Sequence, residues 1–577
     1  MADRSGFARG RVEWRVRPRD AAHERRLAEA VGVSPVTAAL LANRGLGEVE
    51  QARAYFSPSV EQLLDPYRLP DMEAAVRLLD RAIAERQTVL VHGDYDVDGI
   101  AATALLTRFL SKLGVNVQYF IPHRIHDRYG LSRRAVEEGA AEGAHLVIAV
   151  DCGIRDRAAV ARARELGLGT IVLDHHEPGE ELPPADAVVD PKVAGAEYPN
   201  RELTSSGLAL QLARAVAAAR DIPDSYVLRA FLDLAALGTV ADVAELLGEN
   251  RALVTLGLRQ LAQTKKLGLR TLLNLCEVNG RPRAMDIGFR LGPRINAPGR
   301  LADPNPSLQL LLTEDQDEAN RHALYLDTLN RQRQGEQSAI CDEVRARVER
   351  EVDLDRTPVI VLAAESWHVG VVGIAASQVV SMYGRPVVLL AAEGASYRGS
   401  GRSIPAFHLA AAMDCCADLL ERHGGHAMAV GAQLARGNLE AFRERLCALA
   451  AEQLAPAQLC PTLNIDAEVR LSEVTEELIA ELERMEPYGH GNPEPLLAAR
   501  GARVVDRTLV GKDAQHLKLW VTDETHTYEA IGFGMAPDEE LLRGAERIDL
   551  CFAPQVNDFN GYRTLQLRLH ALRAASG

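Results

Sequence analysis

Three aspartates alternate with other residues directly after a short apolar run, in the segment His92-Gly93-Asp94-Tyr95-Asp96-Val97-Asp98-Gly99. In extended backbone, side chains two positions apart lie on one face, so we expect Asp94, Asp96 and Asp98 to point the same way. Carboxylates this close repel one another unless a cation lies among them. The segment therefore predicts a divalent-cation site, with a solvated acidic turn as the alternative.

Two further short apolar runs also end at acidic residues. One stops at Asp151 and the other at the triplet Asp174-His175-His176. Helix-forming stretches such as 155–166 separate the runs, and this order predicts a parallel sheet with crossover helices. Ligands of such sheets bind at the carboxyl ends of the strands, where these acids and imidazoles would meet. Asp242, which follows a helical segment, is a fourth candidate for the same site.

The chemistry of the candidate ligands selects the cation. Carboxylates with one or two imidazoles suit Mn²⁺ or Mg²⁺, and the histidines favour Mn²⁺. The eight cysteines contain no CxxC pair, which argues against structural zinc. More than four candidate ligands predict two ions, with Asp151 as the bridging carboxylate. Two neighbouring ions polarise a phosphoryl oxygen and activate water, so these residues predict hydrolysis of a phosphoester or phosphoanhydride.

The ordered motifs resemble those of a known superfamily, the DHH phosphoesterases. Its four motifs have counterparts in the HxxxDxD spacing of His92, Asp96 and Asp98, the lone Asp151, the triplet 174–176, and Gly-x-x-x-Asp ending at Asp242. Within the superfamily, HGDYDVDG, LDHHEPGE and DLAALGTVADV resemble the RecJ family of single-strand-specific 5′→3′ exonucleases. Further RecJ-like segments lie at 292–301, at 400–403 and 424–431 in the accompanying DHHA1 domain, and at 487–495 before the OB-fold.

The resemblance implies a metal-dependent exonuclease that hydrolyses single-stranded DNA to 5′-mononucleotides in DNA recombination and repair. We expect two Mn²⁺ or Mg²⁺ ions held by His92, Asp96, Asp98, Asp151, His175 and Asp242. We expect the catalytic residues to be Asp151, Asp174, His175 and His176. Asp174 would support the histidines, and His176 would orient the site or stabilise the phosphoryl oxygen. Whether Asp94 or Asp233 contributes to the metal site stays open.

Two segments are candidates for binding the DNA phosphates. Residues 281–301 carry five arginines against one aspartate, and arginine pairs with phosphate oxygens bidentately; surface and interface salt bridges are the alternative. In the motif 400–403, glycine lets backbone N–H groups approach an anion. The resemblance implies that this motif holds the 5′-terminal phosphate in a cleft facing the metals. The phosphate-binding candidates are Arg124, Arg294, Arg300, Ser400, Gly401, Arg402 and His426.

Hydrophobic periodicity predicts an α/β protein with several domains. Residues 1–85 are helical and Arg-rich, and we expect them to pack on the next domain. Their arginines indicate either a solvated arm or a contact with DNA. Residues 86–310 would form a parallel-sheet DHH domain. Residues 311–357 would form a connecting helix that is either continuous or broken once, with Gly335 as the candidate break. A smaller α/β DHHA1 domain would follow at 358–455, and an OB-fold β-barrel at 456–577.

The predicted barrel mixes basic and aromatic residues, a combination suited to stacking single-stranded bases. Its candidates are Lys512, Lys518, Trp520, Tyr562 and Arg563, although Trp520 is also typical of a core position. Docking of a partner is the alternative role for the barrel. We expect single-stranded DNA as the main partner, with a single-strand binding protein and a helicase as further candidates.

Composition is ordinary for a large globular enzyme. The net charge of −15 argues against indiscriminate coating of duplex DNA. Unpatterned cysteines, and the lack of a leader or an apolar run of membrane-spanning length, predict a cytoplasmic protein with no membrane partner. Two other function classes stay open: a small phosphoanhydride or dinucleotide hydrolase with the same metal chemistry, and a non-catalytic DNA-binding subunit resembling Cdc45. The complete ligand set counts against the second.

Overall fold

The computed structural model describes residues 12–124, 127, 129–459, 462–559 and 562–575. The chain forms two compact units: unit 1 comprises Met1–Ala52, Gln332–Arg484 and Pro495–Gly577, and unit 2 comprises Arg53–Arg331 and Met485–Glu494. The strands are β1 (Glu13–Val16), β2 (Thr88–His92), β3 (Asn116–Phe120), β4 (Ala144–Val150), β5 (Gly169–Leu173), β6 (Ala187–Val189), β7 (Ile360–Ala364), β8 (Val387–Glu393), β9 (Ser396–Arg402), β10 (Arg422–His426), β11 (Ala429–Ala435), β12 (Thr462–Ile465), β13 (Ala467–Glu468), β14 (Leu497–Val510), β15 (His516–Thr522), β16 (Thr527–Gly532), β17 (Arg547–Phe559) and β18 (Tyr562–Ala574).

The α-helices alternate with the strands between β2 and β5. They are α1 (Ala21–Val31), α2 (Pro35–Ala42), α3 (Val49–Phe56), α4 (Met72–Ala84), α5 (Val97–Lys112), α6 (Arg133–Ala141), α7 (Arg157–Glu165), α8 (Ser205–Ala219), α9 (Asp224–Ala241), α10 (Gly248–Leu261), α11 (Leu267–Leu275), α12 (Ala284–Asp286), α13 (Gly292–Leu301), α14 (Asn305–Leu312), α15 (Gln316–Glu351), α16 (Val372–Tyr383), α17 (Leu409–Asp414), α18 (Leu439–Gln453) and α19 (Glu476–Arg484).

Unit 2 contains a parallel sheet with strand order β3-β2-β4-β5-β6. Strands β2, β4 and β5 are almost continuously apolar because helices bury both faces of the sheet. Helices α4, α5, α8, α9 and α10 share one hydrophobic core with these strands. The predicted parallel sheet is confirmed, and its carboxyl edge is where the acidic residues lie.

The predicted connecting helix is present as α15, a single helix of 36 residues from Gln316 to Glu351. Of the two alternatives, the continuous helix is the one observed, and the candidate break at Gly335 is absent because the helix continues through this residue. One helical glycine costs only about 1 kcal/mol relative to alanine, too little to interrupt so long a helix. Among the described residues, no helix is both long enough and apolar enough to cross a bilayer.

Unit 1 contains the two predicted C-terminal folds. A mixed sheet has strand order β10-β11-β9-β8-β7, in which only β7 and β8 run parallel. Strands β14, β15, β16, β18 and β17 follow one another around a barrel, which closes where β17 pairs with β14. The small α/β domain and the OB-type barrel predicted from the sequence are therefore confirmed as folds.

The N-terminal region differs from the prediction. Residues 12–52 belong to unit 1, where β1 pairs in parallel with β12 and the Ser34 hydroxyl donates to the Glu481 carboxylate at 2.6 Å. Only residues 53–85 belong to unit 2 with the parallel sheet. The strand pairing joins segments far apart in sequence, and local helical periodicity could not predict it.

Candidate active site

The acidic segment after β2 turns directly into a helix. Asp96 caps α5: its Oδ1 accepts hydrogen bonds from the backbone N–H groups of Asp98 at 2.9 Å and Gly99 at 3.1 Å. Asp98 therefore lies in the first helical turn, and the expectation of extended backbone through Asp94, Asp96 and Asp98 is wrong. Asp94 is buried, and its Oδ1 has no hydrogen-bond partner among the described residues.

Asp98 and Asp151 are both held by the N-terminus of α8. The backbone N–H groups of Ser205 and Ser206 donate to the two carboxylate oxygens of Asp98 at 2.7 and 3.0 Å. The Ser205 hydroxyl donates to Asp151 Oδ1 at 2.9 Å. Asp151 itself has a φ of +64° at the end of β4, a conformation that turns the chain sharply as it leaves the sheet. One carboxylate from the first turn of α5 and one from the end of β4 are thus positioned by the same helix N-terminus.

The triplet after β5 positions two imidazoles. Asp174 accepts hydrogen bonds from the backbone N–H groups of Ile154, His175 and His176, and from His176 Nδ1 at 2.7 Å. This leaves His175 Nε2 3.2 Å from Asp151 Oδ1 and 3.7 Å from Asp242 Oδ2. Asp174 has the expected geometry of a residue that orients the two histidines.

Three overlapping groups of side chains could hold metal ions, and within each group the ligand atoms lie within 4.8 Å of one another. Because Asp151 and His175 each belong to two groups, the three groups form one connected cluster at the carboxyl edge of the sheet. The groups are Asp94, Asp96 and Asp151; Asp98, His175 and Asp242; and Asp151, His175 and His176. Carboxylate and imidazole donors of this kind fit Mn²⁺ or Mg²⁺.

Electrostatics in the cluster favour a bound cation. Burial, reinforced by the charge of Asp96, raises the pKa of Asp98 to about 6. Loss of hydration and the charges of Asp98 and Asp96 raise the pKa of the partly exposed Asp242 to about 9. Burial and the charges of Asp96 and Asp98 likewise raise the pKa of Asp151. Burial lowers the pKa of His175 to about 3, which keeps its imidazole neutral and able to ligate. A divalent cation would relieve this repulsion and satisfy the unpartnered oxygen of Asp94.

Two candidate ligands lie outside the cluster. His92 Nε2 accepts a hydrogen bond from the Ser132 backbone N–H at 3.1 Å, and its Nδ1 lies 3.6 Å from the Cys152 sulfur. The structure therefore does not bring His92 to the metal ligands, because protein groups occupy both of its ring nitrogens. Asp233 pairs with Lys266 at 2.7 Å, which excludes it as an alternative ligand.

Three known domain families match this sequence in the order in which their folds occur along the chain. The sequence matches the DHH family N-terminal domain over residues 88–239, the DHHA1 domain over 356–452 and the RecJ OB domain over 465–571. The single-stranded-DNA-specific exonuclease RecJ of Escherichia coli is 34% identical over 556 residues, which span 92% of this chain and 95% of that protein. The chain belongs to the RecJ family. The corresponding RecJ of Bacillus subtilis is 34% identical over 97% of this chain and 70% of its own length.

Solved RecJ structures agree with this assignment. The crystal structure of Thermus thermophilus RecJ in complex with Mn²⁺ superposes with a TM-score of 0.85 at 31% identity, covering 99% of this chain and 81% of that one. The Mg²⁺ complex of the same protein gives a TM-score of 0.79 at 29% identity, over 98% of this chain and 79% of that one. RecJ relatives thus bind the ions that the ligand chemistry of this chain favours.

The arginines of this RecJ chain that were expected to bind phosphate have protein contacts. Arg294 Nε pairs with Asp327 at 2.9 Å, in keeping with the salt-bridge alternative. The Arg124 guanidinium lies 5.3 Å from the centre of the Tyr95 ring, beside the acidic segment. Arg300 raises the positive potential at the same tyrosine, and Gly299 packs against the Tyr95 backbone. Arg124 and Arg300 therefore lie close to the metal ligands, whereas Arg294 faces α15.

The RecJ-like motif at the end of β9 forms a polar row with its neighbouring strands. Arg402 is paired in register with Ala429 of β11, which is paired with the exposed His426 of β10. Arg402 Nη1 donates to the Ser400 hydroxyl at 2.9 Å and to the Gly401 carbonyl at 2.8 Å. A Cβ atom at Gly373, in the first turn of α16, would lie 3.2 Å from Ser400 Oγ and 3.3 Å from Arg402 Nη2. The structure places Ser400, Gly401 and Arg402 beside the N-terminal turn of α16, and His426 lies two strands away in the same register row.

The barrel residues expected to bind DNA are surface residues where the structure describes them. Trp520 is 39% exposed, so it is not the core residue that its type suggests. Lys518 forms an ion pair with Glu529 at 2.7 Å, whereas Lys512 and Arg563 are exposed. Tyr562 begins β18, but its side chain lies outside the described residues.

Sequence reasoning missed two features of the RecJ site. Ser205 and Ser206 orient the ligands Asp98 and Asp151, and a Thr-Ser-Ser cap before the apolar helix 205–219 was the available signal. The Tyr129 hydroxyl lies 3.1 Å from His176 Nε2 and contacts the Asp151 carbonyl. Loss of hydration around its hydroxyl, together with the charges of Asp174 and Asp151, raises the pKa of Tyr129, which therefore stays protonated. No local sequence pattern identified this tyrosine.

Proposed function

We propose that this chain is a metal-dependent exonuclease that degrades single-stranded DNA from the 5′ end to 5′-mononucleotides, in recombination and repair. The observation that carries the proposal is the connected cluster of carboxylates and imidazoles in a chain that belongs to the RecJ family over nearly its whole length. The expected substrate is single-stranded DNA, as the names of the relatives state for those proteins.

Five residues would hold the ions: Asp96, Asp98, Asp151, His175 and Asp242. Asp94 is proposed as an additional ligand because its buried oxygen has no other partner among the described residues. When bound, Mn²⁺ or Mg²⁺ supplies Lewis-acid stabilisation of a phosphoryl oxygen and activation of water.

The surrounding residues hold these ligands in position. Ser205 keeps Asp151 in place through its hydroxyl. Asp174 holds the His176 imidazole and the backbone of both histidines. His176 donates its Nδ1 proton to Asp174, and this bond and the Asp174 charge outweigh burial and raise the pKa of His176. His176 is therefore proposed to orient the site and to face the substrate phosphate with Tyr129.

The 5′-terminal phosphate is proposed to bind at Ser400, Gly401, Arg402 and His426. Arginine and serine are phosphate-binding side chains, and the N-terminal turn of α16 adds backbone N–H groups and a positive partial charge beside them. Arg124 and Arg300 are proposed to contact phosphates nearer the metal ligands. A site that requires a terminal phosphate would explain degradation from one end only.

The barrel is proposed to capture single-stranded DNA through Lys512, Lys518, Trp520, Tyr562 and Arg563. An exposed indole with basic neighbours can stack a base while the cations follow the backbone. A single-strand binding protein and a helicase are proposed as partners, because both act on the single strands that arise during DNA repair. The proposed location is the cytoplasm.

The decisive test uses a single-stranded oligonucleotide with a 5′ phosphate and a label at its 3′ end. The protein is incubated with it and Mn²⁺, beside a duplex control, a chelated control and the variant Asp151→Asn. The expected result is progressive shortening of the labelled single strand by the wild-type protein with Mn²⁺, and no shortening in any of the three controls. An intact single strand, or equal degradation of the duplex, would overturn the proposal.

A further inference from the structure

The segment Met485–Glu494 is part of unit 2, although the residues before and after it belong to unit 1. It contains most of the motif Pro-Tyr-Gly-His-Gly-Asn-Pro-Glu-Pro. None of the proposed metal ligands belongs to this motif. We propose that this segment is a positioning element for the metal ligand Asp242, with Asn492 as its central residue. The inference rests on the proposed metal site and adds residues that no ligand motif contains.

The segment lies directly against the loop that follows Asp242. The backbone N–H of Leu246 donates to the carbonyl of His490 at 2.9 Å. A Cβ atom at Gly491, where φ is +70°, would lie 3.2 Å from Glu245 Cβ. A Cβ atom at Gly489 would lie 2.7 Å from Leu246 Cδ1. The two glycines therefore leave room for Glu245 and Leu246, which belong to the loop that follows Asp242.

The Asn492 side chain forms hydrogen bonds with the backbone of the same segment. It is fully buried, and its Nδ2 donates to the carbonyls of Met485 at 2.9 Å and Pro487 at 2.8 Å. The Tyr55 hydroxyl contacts both Asn492 Oδ1 at 2.8 Å and the Met485 carbonyl at 2.9 Å. One buried amide thus closes the segment into a compact loop and ties it to α3.

Arg251 of α10 completes the anchor. Its guanidinium lies 3.7 Å from the centre of the Tyr55 ring, and it donates to the carbonyls of Tyr55, Met485 and Glu486 at 2.9–3.0 Å. A buried arginine bonded to three carbonyls has little freedom to move. The segment is therefore a rigid support rather than a loose surface loop.

The loop it supports is strained. Val243, the residue after Asp242, is β-branched yet has a φ of +62°, a conformation that such residues rarely adopt. The Asn250 side chain holds the same loop from the other side by donating to the Glu245 carbonyl at 3.1 Å. Strain of this kind persists only where surrounding contacts determine the conformation. Asn250 and the segment 485–494 together fix how the chain leaves Asp242, whose carboxylate faces His175.

The test compares Mn²⁺ binding by isothermal titration calorimetry in four variants of the full chain. Asn492→Ala removes the central amide, and Tyr55→Phe removes only one hydroxyl, a milder change that protects against a folding failure. Gly491→Ala places a methyl group against Glu245, and Gly114→Ala is its matched control. Both glycines have a backbone in the left-handed region, but nothing lies within 4 Å of a Cβ atom at Gly114. Rates on the 5′-phosphorylated single strand are measured in parallel over a range of Mn²⁺ concentrations.

Asn492→Ala and Gly491→Ala are expected to weaken Mn²⁺ binding about tenfold, and Tyr55→Phe about threefold, as is typical when residues behind a ligand are changed. Their kcat should recover at saturating Mn²⁺ while KM for DNA stays unchanged, and Gly114→Ala should bind Mn²⁺ like the wild type. Equal Mn²⁺ affinity in all four variants would overturn the inference. Mn²⁺ binding that depends on these residues in a protein without nuclease activity would instead refute the proposed function alone.

Discussion

Replacing Asp151 with asparagine should stabilise the metal-free protein while abolishing its response to Mn²⁺. The oxygens of Asp94, Asp96 and Asp151 lie within 4.8 Å of one another, so each fully ionised pair repels by roughly 3 to 4 kcal/mol at an effective dielectric constant of about 20. Burial raises the pKa of Asp94 and of Asp151, and their partial protonation reduces the repulsion. Asp151→Asn is therefore expected to raise the metal-free stability by on the order of 1 to 3 kcal/mol.

With Mn²⁺ bound, the wild type should be more stable than Asp151→Asn. A site filled at one hundred times its Kd stabilises the folded state by about 2.7 kcal/mol, and the variant should lose this gain because Asp151 belongs to two of the three ligand groups. Differential scanning calorimetry with EDTA and with Mn²⁺ measures both effects. The expected result is a higher midpoint than wild type in EDTA and no upward shift on adding Mn²⁺.

Asp233→Asn is the matched control, since Asp233 is equally buried but pairs with Lys266 at 2.7 Å. Leaving that lysine unpaired should cost about 3 to 5 kcal/mol with and without metal, and the Mn²⁺ shift should persist. A lower midpoint for Asp151→Asn in EDTA, together with an intact Mn²⁺ shift, would refute the electrostatic reasoning and the ligand assignment.

Four further changes test other parts of the molecule. Ser205→Ala removes the hydroxyl that holds Asp151 and should weaken Mn²⁺ binding about tenfold by calorimetry. Val243→Gly relieves a left-handed β-branched residue and should raise the free energy of unfolding by about 1 kcal/mol in urea titrations. Arg402→Ala should slow cleavage of 5′-phosphorylated strands about 10- to 100-fold, but not that of 5′-hydroxyl strands. Trp520→Ala should raise KM for long single strands about 5- to 100-fold at unchanged kcat in steady-state assays.

The site was predictable wherever its residues follow a strand of the parallel sheet. Asp151 and the triplet 174–176 end apolar strands, and parallel strands bring their carboxyl ends to one edge. Asp98 was placed correctly for the wrong reason: it reaches the cluster from the first turn of α5, because the Asp96 carboxylate caps that helix. Alternation of acids in sequence looks the same in both conformations.

The parts that could not be predicted depend on contacts between distant residues. His92 has the family spacing of a ligand, but the backbone of Ser132, forty residues later, occupies its Nε2 atom. The serines that hold Asp98 and Asp151 lie more than fifty residues from Asp151. Local periodicity predicts neither contact, because the Thr204-Ser205-Ser206 sequence marks the start of a helix without identifying the carboxylates that it holds. The exposure of Trp520 is likewise not predicted by periodicity.

The pairing of β1 with β12 has a consequence for how the protein is made. Arg19, just after β1, donates to the carbonyl of Glu468, and the two residues are 449 positions apart. At about 5–20 residues per second, a ribosome needs roughly 20 to 90 s to synthesise that interval. Until then the nascent strand has an unpaired edge that could join other chains. Charged residues on and beside an edge strand deter such edge-to-edge association, and Arg15 lies in this strand while Arg17 and Arg19 follow it. Part of this arginine-rich region is therefore suited to keeping the newly made chain from associating.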